Sequence, residues 1–184
     1  EISQENIQGG FVRLQELLTD TYKNMEALHQ NKDLVTGIPT GFLDLDRLTS
    51  GLQSSDLIIV AARPGLGKTS FALNVAQYAA VQKEQIVGFF SLEMAAQQLV
   101  TRMLCSEARV DSHKMRSGYL SKEDWNHLAK SMSKLARAKI FIDDTPGITI
   151  VEMRSKARRL KAEHGLDLLV VDYMQLMSGS STVG

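Results

Sequence analysis

Short apolar runs alternate with amphipathic helical patterns along most of the chain. Four runs have the length of buried strands and predict strands at residues 57–61, 86–92, 140–142 and 168–171. The segments between them predict helices at residues 69–81, 95–108, 121–137 and 149–164. Apolar strands that alternate with helices indicate an α/β fold, in which helices cover both faces of a mostly parallel sheet.

An amphipathic helix is predicted ahead of these elements. Its apolar residues recur at spacings of three and four: Phe11, Leu14, Leu18, Tyr22, Met25 and Leu28. A turn-rich stretch follows, so the chain divides into an arm with a helix over residues 1–31 and an α/β body over residues 32–184. The apolar stripe is open to two interpretations, which are ordinary core packing and docking on another subunit.

The composition is that of a globular protein with balanced charge. Of 184 residues, 43% are hydrophobic and 23% charged, which excludes disorder over most of the length. Lys and Arg total 21, as do Asp and Glu, so any nucleic acid must be bound by a local patch, a loop or a ring of subunits. The lone Cys105 excludes an intramolecular disulfide, and the apolar runs are too short to span a bilayer. These features predict a cytoplasmic protein without membrane segments.

The strongest chemical signal is a phosphate-binding loop between the first predicted strand and its helix. It consists of Ala62, Arg63, Pro64, Gly65, Leu66, Gly67, Lys68 and Thr69, and Ser70 follows. The glycines let backbone N–H groups curl around a phosphate, and the helix N-terminus adds its positive dipole end. We expect residues 63–70 to bind nucleotide, with Lys68 on the outer phosphates and the Thr69 hydroxyl on Mg²⁺. The alternative is a glycine-rich turn with a capping threonine; Ala62 stands where the motif usually has glycine.

Two carboxylates complete the predicted site. Asp172 directly follows the last apolar strand and is expected to hold Mg²⁺ through water, although an aspartate can also simply cap a strand end. Tyr173 is not acidic, so the group that orients the attacking water must come from elsewhere. Glu93 ends the 86–92 strand and would reach the same crevice if that strand neighbours the Asp172 strand. The alternative is a solvated glutamate in the first turn of a helix.

Other polar clusters favour a structural interpretation. The 149–164 helix carries a row of basic residues, for which a solvated face, with Val151, Ala157 and Leu160 inward, is preferred over a nucleic-acid contact. Asp143 and Asp144 could line the nucleotide crevice but are more typical of a turn that ends a strand.

Several motifs together resemble a known family. They are Thr36-Gly37-Ile38-Pro39-Thr40-Gly41, Leu45-Asp46, Gly51-Leu52, the 61–69 loop, Phe90-Ser91-Leu92-Glu93-Met94 and Val171-Asp172-Tyr173-Met174-Gln175-Leu176. The first three are similar to the entry of RecA-like ATPases, and the full set is similar to the bacterial replicative DNA helicases of the DnaB type. The resemblance covers the chain from about Leu17 to Ser178. It implies a RecA-like P-loop fold preceded by an amphipathic linker helix.

This resemblance also implies a function. Members form hexameric rings that hydrolyse ATP and move on single-stranded DNA, separating the strands at a replication fork. It assigns catalytic roles to Lys68 and Glu93, and binding of Mg²⁺ to Thr69 and Asp172. It implies that the linker helix, around Thr19 to His29, packs on a neighbouring subunit, and that primase and a helicase loader are partners.

The family also has parts that lie beyond Gly184, including DNA-binding loops, an arginine finger and a strand between the phosphate-loop and Asp172 strands. We therefore expect these 184 residues alone to hydrolyse ATP weakly and not to unwind DNA. Two other functions stay open from the sequence. One is a RecA-like recombinase or switch ATPase, and the other is a nucleotide-binding docking module without unwinding activity.

Overall fold

A parallel three-stranded sheet with helices on both faces forms the centre of the chain. A computed structural model describes residues 13–15, 18, 21–23, 25–26 and 35–178. Over residues 35–178 the strands are β1 (Val87–Ser91), β2 (Ile140–Asp143) and β3 (Leu168–Asp172). The helices are α1 (Leu43–Thr49), α2 (Lys68–Gln82), α3 (Ala96–Ala108), α4 (Ser112–Ser117), α5 (Lys122–Leu135) and α6 (Ile150–Glu163), and a 3₁₀ turn spans Met174–Leu176.

The sheet has the order β2-β1-β3, with β1 in the middle. Both pairings are parallel, which confirms the predicted sheet type. The register places Phe90 opposite Asp143 on one side and Ser91 opposite Asp172 on the other. All five residues of β1 are buried, as expected for a strand with a neighbour on each side and helices above and below.

Alternate residues of β1 serve the two faces of the sheet. Val87 and Phe89 pack with residues of α2 and α3, including Leu73 and Leu99. Phe90 points to the other face and packs with Met153 of α6 and with other apolar residues on that side. The period of two along the strand therefore explains how a continuous apolar run supplies two cores.

Capping boxes form at the starts of α5 and α6, near the predicted starts at residues 121 and 149. Ser121 accepts from the backbone N–H of Asp124, whose carboxylate accepts from Ser121 in return. Thr149 and Glu152 make the same reciprocal pair at the start of α6. Because these bonds satisfy backbone N–H groups that the helix itself cannot pair, the two starts are defined by local sequence.

The prediction of a buried strand at residues 57–61 is wrong for this structure. These residues form no strand, and Leu57 and Ile59 are 82% and 70% exposed. The strand that the resemblance places beside this segment is not among the described residues. An apolar segment without a hydrogen-bonding neighbour has no ladder to join, so its β propensity alone does not make it a strand.

Two short helices were not predicted. The helix α1 lies inside the stretch expected to be turns. In it, the carboxylate of the buried Asp46 accepts three hydrogen bonds. They come from the Thr40 backbone N–H at 2.8 Å, the Thr40 hydroxyl at 2.7 Å and the Gly41 N–H at 3.2 Å. This bonding fixes the turn ahead of the helix. The helix α4 has six residues and no buried member, so it has no apolar period to detect.

The face of α6 was predicted only in part. Met153 is buried, and Ala157 and Leu160 are half-buried, whereas Val151 is 60% exposed and does not face the core. Val151 lies one position beyond the first residue of the helix, where the chain has just left the turn capped by Thr149. Most of the basic residues point to solvent, as the structural interpretation expected.

The predicted N-terminal helix lies only partly within the described residues. Leu14, Leu18, Tyr22 and Met25 are described, are helical and are between 58% and 70% exposed. Ordinary core packing of these four side chains within this chain is therefore not observed. Phe11 and Leu28 of the same stripe, and every residue of the 1–31 segment other than 13–15, 18, 21–23 and 25–26, lie outside the described residues. Among the helices that are described, none is both long and apolar enough to cross a membrane.

Candidate functional site

The loop before α2 has the backbone that an anion cradle requires. Gly65 and Gly67 adopt positive φ angles of 79° and 88°, which residues with a Cβ rarely adopt. Gly67 is also the N-cap of α2 and supplies no side chain, so no side-chain hydrogen bond caps this helix. The first N–H groups of an α-helix have no partner within it, and here they are left for a ligand at the exposed loop.

The charge at the start of α2 differs from the charge at the starts of α5 and α6. Those two helices have acidic residues in the first turn, as the helix dipole favours. The first turn of α2 has no acidic residue, and its first residue is Lys68. A cation at the positive end of a helix is unfavourable by itself, so this arrangement suits an anion that binds both the helix end and the lysine.

The start of α2 is bonded directly to the end of β3. The Thr69 hydroxyl donates a hydrogen bond of 2.6 Å to Oδ2 of Asp172, across 103 positions of sequence. Asp172 is only 6% exposed, although it ends a strand. Two residues assigned separately from the sequence to the same Mg²⁺ therefore lie side by side. Both present oxygen atoms, which are the ligand type that Mg²⁺ prefers.

Lys68 and Tyr173, the sequence neighbours of Thr69 and Asp172, also contact each other. The Lys68 ammonium lies over the ring of Tyr173, 5.0 Å from its centroid. This distance is within the range of a cation–π interaction. In the sequence, Tyr173 stands out only as a residue that is not acidic. The signal that could have found it is its position directly after Asp172, which brings it to the loop together with Asp172.

Glu93 lies at the same edge of the sheet as Asp172. β1, the strand that precedes Glu93, pairs with β3, and the Leu92 N–H donates to the Asp172 carbonyl at 2.7 Å. The turn after β1 is closed by the Ser91 hydroxyl, which donates to the Met94 carbonyl at 2.6 Å. Glu93 itself is exposed. The strand before Glu93 does neighbour the Asp172 strand, as the predicted role of Glu93 requires.

Asp143 and Asp144 have structural partners on the far side of β1 from Asp172. Asp143 accepts from the Lys156 ammonium at 2.6 Å and from the Thr145 N–H at 3.0 Å. Burial opposes ionisation of Asp143, but these hydrogen bonds outweigh it and lower the pKa of the carboxyl. Asp144 accepts from the backbone N–H of Ala96, the first residue of α3. The turn interpretation fits these contacts.

The candidate site is an open edge and not an enclosed pocket. A polar groove of about 780 Å³ lies between α2, α3 and α4, but of the candidate nucleotide-binding residues only Ser70 lines it. Within the described part of the chain, no group of three or more His, Cys, Asp and Glu side chains could hold a metal ion. A bound cation would therefore need oxygen ligands from water or from a substrate in addition to Thr69 and Asp172.

Comparison with known protein families gives a match over most of the chain. The family described as the DnaB-like helicase C-terminal domain matches residues 37–183. A replicative DNA helicase DnaB of Geobacillus stearothermophilus is 53% identical over 180 residues, and a replicative DNA helicase DnaC of Bacillus subtilis is 51% identical over 180. Each alignment includes 98% of this chain but only 40% of the relative, so the chain spans about two fifths of their length.

Solved structures give the same result for the fold. A structure described as an ATPase domain superposes with a TM-score of 0.86 at 27% identity, covering 95% of this chain and 62% of the other. A structure of a DnaB-like replicative helicase and its interactions with primase gives a TM-score of 0.84 at 28% identity, covering 94% and 42%. The RecA-like α/β fold predicted from the sequence is confirmed by this similarity.

Proposed function

Because the chain belongs to the DnaB-like helicase C-terminal domain family, we propose that it is part of the ATP-hydrolysing motor of a replicative DNA helicase. In this role it couples ATP hydrolysis to movement along single-stranded DNA and to separation of the duplex at a replication fork. The observation that carries the proposal is the hydrogen bond between Thr69 and Asp172, which joins the start of α2 to the end of β3. The relatives are much longer than this chain, so the activity belongs to the whole subunit.

ATP binds in this proposal with its phosphates at the N-terminus of α2. The backbone of residues 63–70 surrounds them, and Lys68 neutralises charge on the outer phosphates. The positive φ angles of Gly65 and Gly67 support this, as does the absence of a side-chain cap on the helix. Arg63, Pro64 and Leu66 shape the loop, and all three are exposed to an incoming ligand.

Mg²⁺ is the cofactor that fits the adjoining oxygens. The Thr69 hydroxyl would bind it directly, and the Asp172 carboxylate would hold it through water. When bound, the ion supplies positive charge to the phosphate oxygens on which negative charge develops during transfer. The two protein groups already lie 2.6 Å apart, and Asp172 is held on a strand whose backbone is bonded to β1. Asp172 is thus positioned by the sheet, and Thr69 by the first turn of α2.

Glu93 orients and deprotonates the attacking water in this proposal. It is the acidic residue that follows the strand next to β3, and its side chain is exposed at the edge where Asp172 ends. A carboxylate on a rigid turn can hold a water molecule in line with the terminal phosphate. The turn is held at two points. The Ser91 hydroxyl donates to the Met94 carbonyl within the turn, and the Asp144 carboxylate accepts from the Ala96 N–H at the start of α3.

The assembly we propose is a hexameric ring on single-stranded DNA. Residues 1–31 serve as an arm and linker helix for docking on a neighbouring subunit, and residues 32–184 as the first part of the ATPase domain. The exposed apolar side chains Leu14, Leu18, Tyr22 and Met25 support this, because they are helical and uncovered within this chain. Primase and a helicase loader are the further partners, and the cytoplasmic location stays a prediction.

The test uses the full-length subunit that contains this chain. We expect Glu93→Gln to abolish steady-state ATP hydrolysis and DNA unwinding while binding of a fluorescent ATP analogue is retained. Glu163→Gln is the matched control. This exposed glutamate ends α6 and precedes the first residue of β3, whereas Glu93 lies at the edge of the sheet where β3 ends. Unchanged turnover in Glu93→Gln would reject the role of Glu93. Absence of nucleotide binding by the unmodified subunit would reject the proposed function as a whole.

A further inference from the structure

We propose that Tyr173 is a positioning residue for Lys68, and that its aromatic face holds the lysine ammonium beside the phosphate-binding loop. This inference rests on the proposed function and adds a residue that the sequence analysis left without a role. Its direct support is the 5.0 Å distance between the Lys68 Nζ and the centroid of the Tyr173 ring. Both residues are half-buried, so water only partly screens the contact.

The contact is held in register by the neighbouring pair. Lys68 precedes Thr69 at the start of α2, and Tyr173 follows Asp172 at the end of β3. The 2.6 Å hydrogen bond between Thr69 and Asp172 fixes the two backbones against each other. The aromatic ring therefore meets the ammonium because two adjacent residues at the start of α2 contact two adjacent residues at the end of β3.

An aromatic face suits this task better than a carboxylate does. The lysine ammonium is carried on a flexible four-carbon side chain, so a partner is needed to limit its rotamers. An acidic partner would accept hydrogen bonds from the ammonium and would compete with a phosphate for them. The ring attracts the cation through its quadrupole and accepts no classical hydrogen bond at its face, so all three N–H donors stay available. Within residues 35–178, no carboxylate lies within ion-pair distance of Lys68.

The first experiment measures binding of a non-hydrolysable fluorescent ATP analogue with Mg²⁺ to the full-length subunit. We expect Tyr173→Leu to weaken the affinity about two- to fivefold, the range of a partly exposed cation–π contact. Tyr173→Phe keeps the ring and should restore most of the affinity. Tyr119→Leu removes a tyrosine that is 83% exposed and lies in the turn between α4 and α5, and it should bind as the unmodified subunit does. A loss in Tyr173→Phe as large as in Tyr173→Leu would overturn the inference.

A double-mutant cycle with Lys68→Met separates positioning from a structural role. If Tyr173 acts through the ammonium, Tyr173→Leu should have no further effect on affinity once Lys68 is methionine. The same fold-loss in both backgrounds would overturn the inference and leave the proposed function intact. Failure of the unmodified subunit to bind nucleotide would instead overturn the proposed function and this inference together.

A graded series of fluorinated phenylalanines at position 173 provides a test that does not depend on leucine being tolerated there. Fluorine withdraws electron density from the ring face and changes its size little, so the attraction for a cation falls with each added atom. We expect affinity for the ATP analogue to fall stepwise along the series in the Lys68 background and to stay constant with Lys68→Met. A flat series with Lys68 present would overturn the inference.

Discussion

Two buried carboxylates in this chain depend on a threonine hydroxyl as a donor. Asp46 is 4% exposed and accepts from Thr40, and Asp172 is 6% exposed and accepts from Thr69. A buried carboxylate loses most of its hydration, and hydrogen bonds to it must replace that loss. The first pair fixes the turn ahead of α1, whereas the second lies at the candidate site, so the same chemistry serves structure in one place and the candidate site in the other.

The Thr69 hydroxyl is predicted to contribute to stability even without a ligand. Thr69→Val keeps the shape of the side chain and removes the donor to Asp172, leaving a buried carboxylate oxygen without this partner. We expect the free energy of unfolding to fall by about 1–3 kcal/mol, measured by urea denaturation. Thr69→Ser keeps a hydroxyl and should lose much less. Equal stability of the valine and serine variants would contradict the argument.

The acceptor role of Asp46 can be tested against a neighbour on the same helix. Asp46→Ala removes the acceptor of three hydrogen bonds from Thr40 and Gly41 and should cost about 2–3 kcal/mol in the free energy of unfolding. Asp44→Ala is the control, because Asp44 is exposed and pairs with Arg47 at the surface. Such pairs contribute little, so this variant should be close to the unmodified protein. Similar losses in the two variants would show that burial does not decide the effect.

At the scale of elements, local signals were the ones that could be predicted. Both capping boxes form where Ser121 and Thr149 are followed three residues later by an acidic residue, since the whole motif fits within one turn. The prediction of β1 from its apolar run is confirmed because the sheet gives that run a neighbouring strand on each side, so all five of its residues are buried. The short helix α4 could not be predicted, because its six residues are exposed except for the half-buried Met115 and carry no period that distinguishes a helix from a loop.

The capping box of α6 predicts a specific acid response. The backbone N–H and the hydroxyl of Thr149 donate to the Glu152 carboxylate and lower its pKa below the usual value of about 4.3. A carboxyl with a lowered pKa in the folded state stabilises the protein above its usual pKa. This stability is lost as the pH falls through the folded-state value.

The measurement is the free energy of unfolding of the unmodified chain and of Glu152→Gln between pH 7 and pH 2. We expect Glu152→Gln to be less stable at pH 7, and the difference to shrink once the pH falls below about 4.3. Asp124→Asn should behave in the same way, because Ser121 lowers the pKa of Asp124 through its backbone and side-chain hydrogen bonds. A difference that is constant across this pH range would contradict the assignment.

At the scale of the whole molecule, strand order determines what the sequence could not reveal. Thr69 and Asp172 are 103 positions apart, and no local pattern states that their side chains meet. Glu93 could be placed beside Asp172 only on the condition that β1 neighbours β3, which is a property of the sheet. The failed prediction at residues 57–61 has the same origin, because that segment needs a neighbouring strand that its own residues cannot specify.

The exposed segment gives a prediction about the surface of the 184-residue chain. Leu57 and Ile59 are 82% and 70% exposed, whereas Ile58 and Val60 are about half exposed. The exposure of successive side chains therefore alternates, as it would along an unpaired strand. Contiguous exposed apolar residues with high β propensity bind hydrophobic probes and favour association with other chains. We expect the chain to bind the dye anilinonaphthalene sulfonate and to elute from size exclusion as a species larger than a monomer.

Replacing the two most exposed residues of that segment tests the cause. Leu57→Lys combined with Ile59→Lys should reduce dye binding severalfold and shift elution toward the monomer, because lysines on a strand edge prevent pairing with another chain. Leu48→Lys is the control, since Leu48 is 86% exposed but lies on α1 outside the segment. Unchanged dye binding and elution in the double variant, or an equal effect of Leu48→Lys, would mean that another surface causes the association. A change confined to the double variant would identify residues 57–60 as a strand-forming segment that lacks its neighbour.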